Sequence, residues 1–127
     1  DNFLRFWFRF ICPYQSVIER QQHALLRKNI AQHYEQFSGR TLERYFHDKT
    51  METGLYTTVG NWWNRKGENE IDMIALNEFD HTGVAAEIKR NPNKISPMVL
   101  EEKIAALPAA DFGKYALTPL TLSMEDM

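Results

Sequence analysis

The stretch Glu70–Arg90, EIDMIALNEFDHTGVAAEIKR, constrains this chain most. Two short apolar runs rich in β-branched residues flank a polar segment that ends in glycine, the pattern of an antiparallel hairpin. Asp72, Glu87 and Lys89 sit inside the apolar runs, where a sheet would bury them. Charged groups avoid a dry interior unless they are paired or hold a metal. The hairpin therefore carries either a structural ion cluster or a metal site. With the connecting loop centred near Asp80, Asp72 is expected opposite Ile88 or Lys89 and one diagonal step from Glu87. Alternation places Asp72 with Ile74 and Leu76 on one face of its strand, Ile71 and Met73 on the other, and groups Ala85, Glu87 and Lys89.

Two carboxylates brought together repel, and a cation between them relieves the repulsion. Oxygen ligands of this kind suit Mg²⁺ or Mn²⁺. A cation there polarises a phosphate and lowers the pKa of bound water, and Lys89 is placed to stabilise developing negative charge or orient the water. Arg65, Lys66, Arg90 and Lys94 bracket the hairpin ends and are candidate phosphate contacts. The sequence holds no glycine-rich phosphate-binding loop, and its four histidines show no metal-ligand spacing beyond His47-Asp48.

Around the hairpin the periodicities give an order α-α-α-β-β-β-α-β. The first segment, Asn2–Ile11, fits helix and strand periods alike. Its apolar residues, with Phe3, Trp7, Phe8 and Ile11 on one side, exceed what one partner face covers. Either the segment is a core helix of this domain, or these residues contact an upstream region or a second copy. Pro13 breaks the segment. Ser16-Val17-Ile18-Glu19 has the form of a capping box for a helix from Val17 to about Phe37, closed at Ser38-Gly39. A further helix runs from about Thr41 to Thr53 and stops at Gly54. LYTTV is the first expected strand, Asn64–Asn69 a turn, EIDMIAL and VAAEIKR the next two strands, with a loop over Asn77–Gly83. Ser96 and Pro97 open a helix through about Leu107, with Glu101, Glu102 and Lys103 on its exposed face. Gly113–Leu120 forms an edge strand because of Pro119. Residues 123–127 are expected to fray.

With 127 residues, 43% of them hydrophobic, the chain has the composition of one globular domain with a real core. A formal net charge of −2 excludes bulk attraction to nucleic acid or membrane, leaving only local patches. The single Cys12 forms no intrachain disulfide and suits a reducing, cytoplasmic setting. No apolar run approaches the ~20 residues of a membrane span. The opening DNFLRFWFRF is not a signal peptide and lacks an initiator Met, as in a piece of a longer protein.

Asp72 followed by Glu87-Ile88-Lys89 resembles the signature of the PD-(D/E)xK nuclease-like superfamily, whose α-β-β-β-α-β core matches the order from Thr41 onward. The resemblance implies a restriction-endonuclease-like core in which Asp72, Glu87 and the Ile88 carbonyl hold the metal. Lys89 assists the chemistry, and Glu43, in GRTLERYF, supports the metal from the first core helix. A resemblance over most of the chain rests on FLRFWFRFI, GNWWN, EIDMIAL and AEIK. These are similar to the C-terminal domain of unknown function carried by many archaeal and bacterial P-loop ATPases. That resemblance implies a helical segment over residues 1–40 leading from an upstream ATPase and winged-helix region, an α/β core over 41–122, and a tail over 123–127. It implies magnesium-dependent hydrolysis of nucleic acid, or alternatively a non-catalytic module that regulates or localises the ATPase. Relative to the family the third strand is expected to start late, after NEFDHTG.

Overall fold

A computed structural model describes residues 2–127. The chain divides into two compact units, the first ending at Thr41 and the second running Leu42–Met127.

In the first unit the ambiguous aromatic segment is helical. Helix α1, Asn2–Phe6, passes into a π-helical turn over Trp7–Ile11, in which the Cys12 N–H donates to the Trp7 carbonyl. The wide turn accompanies an inward-facing aromatic cluster: Phe10 is fully buried, with ring centroids 5.0 Å from Phe6 and 5.3 Å from Phe37. The Arg9 guanidinium lies 4.9 Å from the centre of the Phe10 ring, within cation–π range. Phe3 and Phe8 are 68% and 62% exposed. Ser16 is not a helix cap. It lies inside α2, Gln15–Glu19, whose N-cap Tyr14 makes no side-chain bond. The 3₁₀ turn Cys12–Tyr14, which contains Pro13, leads into the helix before Ser16 is reached. Gln21 then takes a left-handed conformation (φ 57°) and separates α2 from α3, His23–Glu52.

Helix α3 also overrides the expected stop at Ser38-Gly39. Ser38 Oγ and Thr41 Oγ1 donate back to the Glu35 and Phe37 carbonyls instead of capping. Glycine inside a helix costs about 1 kcal/mol relative to alanine, too little to break one whose residues pack in both units. A Cβ at Gly39 would meet nothing within 4 Å. Gly39→Ala is therefore expected to stabilise the protein by about 0.5–1 kcal/mol, read as a higher midpoint in a urea melt.

The second unit is a four-stranded mixed sheet between helices. Helix α3 ends at Glu52, followed by Gly54 in the left-handed region (φ 70°). The strands are β1 Thr58–Trp63, β2 Glu70–Asn77, β3 Thr82–Ile88 and β4 Ala116–Leu122. Their order is β1-β2-β3-β4, with the first three antiparallel and β4 parallel to β3. β1 comes later than LYTTV and includes Trp62 and Trp63. The turn Asn64–Asn69 is as expected, closed by a bond from Asn64 N to the Asn69 carbonyl. Helix α4, Pro97–Ala105, starts at Ser96, whose Oγ accepts from Val99 N, and a short helix α5, Ala109–Phe112, precedes β4. Pro119 lies on the edge strand. Residues 123–127 are not frayed: buried Ser123 and exposed Asp126 form a capping box over a 3₁₀ turn, Met124–Asp126.

On one sheet face Leu42 and Phe46 of α3 pack on Met73, Ala86 and Ile88. On the other, Ile104, Leu107 and Phe112 pack around Ile71, Ile74 and Ala85. No described helix is long and apolar enough to cross a membrane.

Candidate metal and phosphate site

The hairpin forms with a shorter turn and a different register than expected. Asn77 Oδ1 accepts from the amides of Phe79 and Asp80, and His81 adopts a left-handed conformation, so β3 starts early, at Thr82. Met73 pairs with Ala86, one or two residues away from the expected partner. Alternation also breaks at Asp72. On β1, Gly60 pairs with Ile74 and Trp62 with Ile71, so Asp72 and Met73 together oppose the single residue Asn61. This is a β-bulge on β2. It explains why Ile71 shares the core face of Ile74 while Met73 lies on the opposite face, contrary to strict alternation.

The bulge is held from both sides. Asp72 is 5% exposed, and its Oδ2 accepts from the Ile88 N–H at 2.8 Å. The carboxylate thus satisfies a β3 amide just past the last Met73–Ala86 pair of the ladder. The Asp72 carbonyl lies 2.8 Å from His47 Nε2 on α3. A carbonyl only accepts, so His47 Nε2 carries the hydrogen and donates. His47→Ala leaves this carbonyl without its partner, and an expected loss of about 1 kcal/mol is measurable by denaturant unfolding.

Burial pushes the Asp72 carboxyl above its ordinary value. The Ile88 amide opposes that rise, the Glu87 charge adds to it, Lys89 opposes it and Glu70 adds to it. Asp72 therefore feels both other members of the predicted set. Lys89 pairs with Glu87 rather than with Asp72: its Nζ is 3.5 Å from Glu87 Oε1. Lys103 of α4, expected on an exposed face, turns inward and places Nζ 3.3 Å from Glu87 Oε2. Reading α4 as a solvated helix missed it, although its place one residue before core Ile104 was the available signal.

Glu43 is half-buried on α3, next to core Leu42. Arg65 and Lys66 are exposed in the β1–β2 turn, and Arg90 and Lys94 are exposed after β3. Trp63 is 60% exposed, whereas Trp62 packs edge-to-face on Phe112. Among the described residues no three His, Cys, Asp or Glu side chains gather as a ligand set. Asp72 and Glu87 offer carboxylate oxygens, the donor type that a hard divalent cation takes, and such a site would need waters to complete its shell. Two lysine ammoniums already sit on Glu87, and a cation there would have to compete with them.

A family model covering residues 7–98 matches this chain, including the first three strands and both carboxylates. The chain belongs to the DUF234 family of archaeal and bacterial proteins of unknown function. Similarity extends to an uncharacterised protein of Methanocaldococcus jannaschii, 34% identical over 96 residues. The match covers 70% of this chain and 21% of that protein, so this DUF234 chain spans about a fifth of its relative's length. No solved structure matches the chain.

Proposed function

We propose that this domain is a nuclease-like module of the PD-(D/E)xK type that hydrolyses phosphodiester bonds of nucleic acid with Mg²⁺ or Mn²⁺. The observation that carries this reading is buried Asp72, set in a β-bulge within the field of Glu87 and Lys89. Strand order β1-β2-β3-β4 with β4 parallel to β3 supports a restriction-endonuclease-like core. Asp72 and Glu87 would hold the cation, with the Ile88 carbonyl as a further ligand and Glu43 in support. The cation would supply Lewis acidity at the scissile phosphate. Lys89 orients the attacking water or balances charge on the phosphate oxygens, and Arg65, Lys66, Arg90 and Lys94 contact the flanking backbone.

The larger protein would be a cytoplasmic P-loop ATPase with this domain at its C-terminus, an arrangement compatible with the greater length of the relative. A second reading has its own support. Lysines engage both Glu87 oxygens, as in a structural ion cluster of a non-catalytic module that regulates the ATPase through protein contacts. Labelled DNA and RNA incubated with the protein and Mn²⁺ separate the two. Cleavage abolished by chelator supports the nuclease, and intact substrates with and without the ATPase region support the module.

A further inference from the structure

Lys103 has a role that the hairpin motif does not contain. It lies outside the family-matched stretch 7–98 and reaches the site from α4. Fully buried Leu100 and core-packed Ile104 fix its helix. Its side chain is 21% exposed against 43% for Lys89, so it is the less solvated of the two ammoniums on Glu87. Its Nζ occupies Oε2, while Lys89 occupies Oε1. An ammonium and a divalent cation cannot both take full advantage of one carboxylate oxygen, because the two positive charges repel across a few ångströms of partly buried space.

We infer that Lys103 is a positioning residue that holds Glu87 as an internal counter-ion, so that a divalent cation engages the site only by displacing the Lys103 ammonium from Glu87. This rests on the proposed metal-dependent reading and adds a regulation of it. The intrinsic lysine sets the cation concentration at which the site fills, and it keeps the Glu87 carboxylate compensated in the cation-free protein. Lys89, more exposed and just beyond the end of β3, remains available to the substrate.

The test is Mn²⁺ titration calorimetry of the 127-residue chain and of its Lys103→Gln, Lys103→Met and Lys103→Arg variants, alongside thermal melts in chelator. Glutamine keeps a hydrogen-bond donor near Glu87 without the charge, so the fold has a route to survive the change. The expected result is Mn²⁺ affinity raised about tenfold or more in Lys103→Gln and Lys103→Met, and near the parent value in Lys103→Arg. Binding by the neutral variants where the parent binds none supports the inference equally. A lysine with a merely structural role lowers the melting temperature but does not tighten Mn²⁺ binding. Unchanged or weaker affinity in the neutral variants of a binding-competent parent overturns the inference and leaves the metal site standing. No Mn²⁺ heat in any of the four proteins overturns the metal site itself, and the inference with it.

Discussion

Asp72→Ala is expected to destabilise the cation-free protein by about 1–3 kcal/mol at acid pH, because it removes the acceptor for the buried Ile88 amide. Asp72→Asn, which keeps an acceptor oxygen and discards the charge, is expected to match or exceed the parent near pH 7. The difference follows from the direction of the Asp72 shift. Its carboxyl binds a proton more tightly in the folded chain than in the unfolded one, where it titrates near 3.8. The folded state is therefore favoured most below about 3.8, and stability falls as pH rises through the folded value. Both variants should lose this fall, and Asp72→Ala should be least costly at neutral pH, where the parent buries a charge. Urea unfolding in chelator at several pH values measures it. A parent that gains stability through this window, or an Asp72→Asn variant with a large loss at pH 7, would contradict the account. Removing Asp72 does not strand Lys89, which stays on Glu87.

The strands of the hairpin were legible because their apolar runs and turn residues carry their signal locally. So were the Ser96 cap and the edge position of the Pro119 strand, each a direct consequence of one residue's chemistry. The register was not legible. It depends on where a four-residue turn closes, and Asn77 and His81 close it one step earlier than the position of Gly83 suggests. The bulge was equally hidden, since it arises from the mismatch between β1 and β2 and leaves no periodic trace in either strand. Ser38-Gly39 carried a strong local stop signal that tertiary packing overrode. Of the candidate site, Asp72, Glu87 and Lys89 stood out in the sequence as charges within or beside apolar strands. Lys103 was missed because a lysine on an amphipathic helix reads as solvated unless the helix's rotation over the sheet is known. His47 was missed because its partner is a backbone carbonyl, and sequence patterns do not display backbone geometry.

Cation-dependent cleavage should depend on three residues in different ways. Asp72→Asn and Glu87→Gln remove the charges that would hold the cation, and each is expected to lower cleavage by at least about 10²-fold. Glu87→Gln also leaves Lys103 with a weaker partner, so its melting temperature in chelator should fall. Lys89→Ala is expected to keep at least the parent's Mn²⁺ affinity, because it too removes a competing ammonium, while cleavage drops about 10²–10³-fold. A Lys89→Ala protein that cleaves normally would remove that residue from the chemistry and leave it as a counter-ion of Glu87.

The most direct test of a cation site built on Asp72 and Glu87 is a Mn²⁺ titration of the parent chain by calorimetry, repeated with Asp72→Asn. Saturable heat is expected from the parent, and its loss in the variant at unchanged fold. No heat from either the parent or Lys103→Gln, or an Asp72→Asn variant that binds as the parent does, would contradict the cation site.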